Sequence, residues 1–85
     1  MADVTIYVTN FCPYCVRAKG LLDRKKVPYT LIDVSHDHDK REWLVGATGR
    51  RTVPQIYIGE VHVGGYDDLV ALDRAGGLEP LLASS

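Results

Sequence analysis

Nowhere does the chain hold an apolar run approaching the roughly eighteen residues from which a membrane-spanning helix is built. Met1-Ala2-Asp3-Val4 carries neither the basic stretch nor the apolar core of an export signal, so a cytosolic protein is expected. An excess of one charge is lacking too: ten Lys and Arg against eleven Asp and Glu leave a formal net charge of −1. No strong field draws in nucleic acid or an anionic membrane, and neither is expected as a partner. Repeats, linkers and low-complexity stretches are absent. The 85 residues, 46% of them apolar, suffice for one small domain spanning the whole chain, with a thin core and the size of a monomer. Cysteine is scarce, with two in all. In a reducing compartment such a pair points to catalysis more than to structure.

The two cysteines form Cys12-Pro13-Tyr14-Cys15, directly behind the β-rich run Val4-Thr5-Ile6-Tyr7-Val8. A strand that turns into a helix at this motif sets the first sulfur at a helix N-terminus, where unpaired N–H groups favour a thiolate. Pro13 suits the first helical turn, since its missing N–H has no helical partner there. Along the helix Cys15, Ala18 and Leu22 fall at i, i+3 and i+7, so Cys15 faces the core. Cys12 is the expected attacking thiol and Cys15 the sheltered resolving one. A structural zinc site needs about four ligands. Only His36, His38 and His62 remain to complete one, none at a ligand-like spacing, so no metal is assigned. A purely structural disulfide across two residues would close a short loop and constrain the unfolded chain little.

The remaining segments alternate. A helix from Pro13 to about Lys25 and a strand Tyr29–Asp33 complete a βαβ unit, hence a parallel pair. Arg24, Lys25 and Lys26 complement the dipole at the end of that helix. A second helix is expected from Asp37 or Asp39 to Val45, closed by Gly46 and Gly49, with Trp43 covering the sheet. His36 and His38 flank an aspartate in a polar turn and read as solvated. Gln55-Ile56-Tyr57-Ile58 and Val61-His62-Val63 form a hairpin across Gly59-Glu60, a Gly-X pair of type II′ character. A helix follows from about Tyr66 to Arg74, ended by Gly76 and Gly77, and Leu78, Leu81 and Leu82 make a last helical turn. The order β-α-β-α-β-β-α gives an α/β fold, a four-stranded mixed sheet with helices on both faces.

Two further elements bear on function. Thr52-Val53-Pro54 precedes the third strand. Local sequence favours a trans bond there, since only about 6% of X–Pro bonds are cis. A cis bond would turn the Val53 N–H and C=O outward, where an extended peptide could pair with them. Gly64-Gly65-Tyr66-Asp67-Asp68 places two glycines before an acidic first helical turn. Capping and dipole complementarity account for it. The same geometry would also hold a zwitterionic amino-acid head, its carboxylate on helix N–H groups and its ammonium on an aspartate.

With Cys12-Pro13-Tyr14-Cys15, Thr52-Val53-Pro54 and Gly64-Gly65-Tyr66-Asp67-Asp68 in this order, the chain resembles a dithiol glutaredoxin of the short bacterial type over essentially its whole length. The resemblance implies a thioredoxin-like fold, a cis Pro54, and glutathione as co-substrate, with no tightly bound cofactor. It implies that Cys12 accepts glutathione in a mixed disulfide and that Cys15 resolves protein disulfides. Tyr14 would flank the glutathione sulfur, and Thr52, Val53 and Pro54 would form the edge that pairs with its cysteinyl backbone. Gly65, Asp67 and Asp68 would hold the γ-glutamyl head, and Arg41 stands where the family often has a polar or basic group near the glycine carboxylate. Thr9 occupies the position at which glutaredoxins commonly carry a lysine; Arg51 is a nearby cation. The expected activity is reduction of protein disulfides and glutathionyl mixed disulfides. Two alternatives stand beside it: a redoxin reduced by a flavoenzyme such as thioredoxin reductase, and a module that binds an iron–sulfur cluster through Cys12 and glutathione.

Overall fold

The computed structural model describes residues 3–83. Its elements run β1 (Val4–Val8), α1 (Pro13–Arg24), β2 (Thr30–Asp33), α2 (His38–Thr48), β3 (Gln55–Ile58), β4 (Val61–Gly64), α3 (Tyr66–Arg74) and α4 (Leu78–Leu82). The sheet order is β2-β1-β3-β4. β1 pairs with β2 in parallel and with β3 antiparallel, and β3 pairs antiparallel with β4. Gly59 takes the positive φ, 60°, that the hairpin turn demands.

Period-two alternation sorts β1 onto two faces. Val4, Ile6 and Val8 are buried and meet Ile56 and Ile58 of β3, Ala18, Leu21 and Leu22 of α1, Leu69 of α3, and Leu78 and Leu82 of α4. Thr5 and Tyr7 turn to the opposite face. There the Tyr7 ring meets that of Trp43 of α2 in a tilted contact at 5.8 Å and that of Tyr57 edge-to-face at 5.9 Å. Three helices therefore cover one face and α2 the other, as expected for a four-stranded mixed sheet with helices on both faces.

Several boundaries differ from expectation for local reasons. α2 passes through Gly46 and ends at Gly49, whose φ of 71° caps it in the left-handed region. Thr48 helps to close it, donating its hydroxyl to the Leu44 carbonyl at 2.8 Å and accepting the Arg50 N–H at 3.1 Å. Trp43 is not core: it is 56% exposed, and its neighbour Leu44, 2% exposed, is the residue α2 buries. One step along a helix rotates a side chain by about 100°, so Trp43 lies at the flank of the packed face and lays its ring on Tyr7. The cationic end of α1 does more than complement a dipole. Lys25 reaches Asp73 at 2.8 Å and Glu79 at 3.0 Å, tying α1 to α3 and α4. The final turn is a short helix, its Leu78 and Leu82 buried.

Candidate active site

β1 ends at Val8 and the chain must turn sharply to enter α1. Phe11 takes φ 57° in that turn, a left-handed conformation uncommon for a bulky residue, and its side chain is fully exposed. Cys12 is then the N-cap of α1 in extended geometry, with Pro13 in the first turn. The Cys15 N–H donates to the Cys12 Sγ at 3.2 Å, so the sulfur fills the capping role that an oxygen usually takes. The Cys12 thiol in turn donates to the Val53 carbonyl at 3.6 Å. Both thiols are free. Cys12 is half-buried, whereas Cys15 is 2% exposed against the sheet. Burial pushes the Cys15 thiol up to about 12, and its hydrogen bond with Cys12 adds to the rise.

The Val53-Pro54 bond is cis. Pro54 is buried, and Gly65 lies beside it, where an added Cβ would make an ordinary contact, 3.5 Å, with the Pro54 carbonyl. Thr52, Val53, Pro54, Gly65, Asp67 and Asp68 thereby line one groove of about 270 Å³, together with Tyr14, Tyr66 and Arg50. Tyr14 is half-exposed, with Tyr66 6.2 Å away ring to ring and the Arg17 guanidinium 5.2 Å over its face. At the acidic end Asp68 turns back on its own helix. Its Oδ2 accepts the Gly65 N–H at 2.8 Å and the Arg50 guanidinium at 2.7 Å. Arg50 and the Gly65 N–H hold its carboxyl below the usual range.

Of the residues singled out from sequence, only Arg41 among the binding candidates does not line this groove; it is half-buried on α2. The cation that does is Arg50, which the sequence reading missed. Arg51, two residues from Val53, instead points to Glu42 at 3.5 Å. Arg50 and Thr52 line the groove while Arg51 between them does not, a choice made by the course of the loop that joins α2 to β3. Thr9 lines a second hollow of about 330 Å³ with Phe11, Cys12, Cys15, Val16 and Lys19. Lys19, one turn beyond Cys15, supplies a positive charge there that partly offsets the rise at Cys15. Its i+4 spacing from Cys15 could have marked it. His36 and His38 are exposed, and no group of three His, Cys, Asp or Glu residues among the described ones is placed to hold a metal ion. No helix among them is long and apolar enough to cross a membrane.

Comparison with known proteins agrees with this geometry. Residues 4–63 match the glutaredoxin family profile. The chain is 51% identical over 82 residues to glutaredoxin 3 of Escherichia coli, covering 96% of this chain and 99% of that one. Its backbone superposes on the solution structure of a Brucella melitensis glutaredoxin with TM-score 0.87 at 51% identity, covering 96% of this chain and 89% of that one. A buckwheat glutaredoxin crystallised as a glutathione complex gives TM-score 0.90 at 32% identity, covering 98% of this chain and 78% of that one. Sheet order, dithiol and groove thus converge on one assignment: the chain belongs to the glutaredoxin family, the glutathione-dependent thiol–disulfide oxidoreductases of thioredoxin-like fold.

Proposed function

We propose that Cys12 is the nucleophile of this oxidoreductase and that glutathione lies in the groove beside it. The observation that carries the reading is the 3.6 Å approach of the Cys12 Sγ to the Val53 carbonyl, which joins the reactive sulfur to a peptide-pairing edge. The Cys12 thiolate attacks the glutathione sulfur of a glutathionylated protein. A Cys12–glutathione disulfide forms, the original S–S bond breaks, and the protein leaves as a thiol after taking up a proton. A second glutathione thiolate attacks the glutathione sulfur on Cys12, yielding oxidised glutathione and restoring the Cys12 thiol. For a protein disulfide, Cys12 forms a mixed disulfide with one protein sulfur and releases the other as a thiol. Cys15 then attacks the Cys12 sulfur as its proton passes to the departing protein sulfur, freeing the protein as a thiol and leaving a Cys12–Cys15 disulfide that two glutathione molecules reduce. The raised pKa of Cys15 keeps it protonated, and out of competition, while Cys12 reacts.

Val53 pairs through its backbone with the cysteinyl residue of glutathione, flanked by Thr52 and Pro54, and Tyr14 lies along the sulfur. Gly65, Asp67 and Asp68 receive the γ-glutamyl head. Arg50 brings a guanidinium to the groove, and Arg41 remains a candidate for the glycine carboxylate by its place in the sequence. The whole chain acts as one domain, a monomer, on disulfide and glutathionylated proteins in a reducing cytoplasm.

The test is glutathione-dependent reduction of a small glutathionyl mixed disulfide, coupled to glutathione reductase, by wild type, Cys12→Ser and Cys15→Ser. Activity kept by Cys15→Ser and lost by Cys12→Ser is expected. An inactive wild type that turns over with thioredoxin reductase would overturn the reading in favour of a redoxin.

A further inference from the structure

Gln55 is the one buried polar residue of the described core, fully shielded from solvent. It immediately follows Pro54 and begins β3. Its side-chain amide is used on both sides. Nε2 donates to the Thr52 carbonyl at 2.9 Å and lies 3.4 Å from the Thr52 hydroxyl. Oε1 faces His62 Nε2 at 2.7 Å across the hairpin. Because the Gln55 nitrogen is committed to Thr52, its oxygen must accept from His62, so His62 carries its hydrogen on Nε2. The ring of His62 is itself seated 5.1 Å from that of Tyr57.

A buried amide is costly unless paired, and this one is paired in a way that fixes a neighbouring peptide plane. In a trans peptide the C=O and the N–H point in opposite directions. The Thr52–Val53 peptide holds its C=O inward on Gln55, so its N–H, which belongs to Val53, points the other way. Val53 lines the groove, and its own carbonyl takes the Cys12 thiol. We propose that Gln55 is a positioning residue: braced by His62, its amide turns the Thr52 carbonyl inward and so aims the Val53 N–H at the groove. The class of ligand that benefits is an extended thiol peptide whose cysteinyl carbonyl accepts that N–H. The proposal rests on the glutathione reading above. Gln55 touches no substrate; it acts through Thr52 and Val53.

Two variants test it. Gln55→Leu removes the side-chain hydrogen bonds to Thr52 and His62, and His62→Phe removes the brace while keeping a ring against Tyr57. Each is assayed for KM and kcat with the small glutathionyl disulfide, for the rate of Cys12 alkylation by iodoacetamide, and for thermal unfolding. The loss of one aligned hydrogen bond to the substrate backbone corresponds to a roughly tenfold rise in KM for Gln55→Leu, and misalignment to about threefold for His62→Phe. The kcat and the alkylation rate, which needs no peptide edge, are expected to stay within about twofold. An unchanged KM in either folded variant overturns the proposal. So does a KM change accompanied by parallel losses of kcat and alkylation, which would mark a merely structural role. If Gln55→Leu does not fold, the His62→Phe result decides. A wild type inactive with glutathione would defeat the underlying reading instead, a failure visible before any variant is made.

Discussion

At the level of single side chains, the asymmetry of the dithiol has a direct chemical consequence. With Cys15 buried and its pKa pushed up to about 12, a limiting dose of iodoacetamide at pH 8 is expected to label Cys12 alone. Peptide mass spectrometry reads this, and labelling of Cys15 at a comparable rate would contradict the assignment of roles. His62 offers a second test, in pH. Burial, then the nearby Arg50, lower its pKa from 6.5, while Asp68 opposes them. The unfolded chain therefore takes up the proton first as pH falls. The stability that His62 contributes is complete above about pH 6.5 and is lost as pH drops through the lower folded value. The melting temperature of wild type should fall over that interval and that of His62→Phe should fall less, which calorimetry at a series of pH values would show. Asp68 and Asp33, with carboxyls held below 3.8, make their own contribution, lost only at more acid pH.

Among the elements, the corner between β4 and α3 is the most constrained. Gly64 has φ 117°, and a Cβ there would run into the Asp68 carboxylate that caps the helix. Gly64→Ala is expected to cost about 1–3 kcal/mol. It should also displace Asp68 from Arg50, seen as lower stability in urea together with weaker glutathione use. Most elements were readable from sequence because each carried two agreeing signals. Proline and the dithiol fixed the start of α1, and twin glycines with acidic residues fixed that of α3. α2 was read too short because Gly46 looked like a stop. Inside a helix one glycine costs only about 1 kcal/mol, and the true terminator is Gly49, where the backbone must turn left-handed. Trp43 was expected to cover the sheet as an aromatic residue on an amphipathic helix, and it does lie on Tyr7, but from the exposed flank, since nothing local tells which flank of such a helix a sheet will bury. Arg50 was hidden for a related reason: choosing between two adjacent arginines requires the twist of the loop that delivers them.

For the molecule as a whole, the core is thin and shared with the site. Leu69, wholly buried, belongs both to the main cluster and to the helix whose first turn lines the groove. Leu69→Ala should cost about 2–5 kcal/mol, measurable by denaturant unfolding, a large share of what a domain this size has to spare. The sheet order carries a further consequence. β1 and β3 are antiparallel inner neighbours with Tyr7 opposite Gln55, so the strand end that leads to Cys12 and the strand start that follows Val53 meet at one end of the sheet. Both thiols come from the chain before the exposed His36, and everything lining the groove except Tyr14 comes after it. Neither stretch alone holds both halves of the reaction. A chain severed at that turn would therefore recover activity only as its two fragments found each other and zipped β1 to β3, and glutathione turnover would become a meter of reassembly.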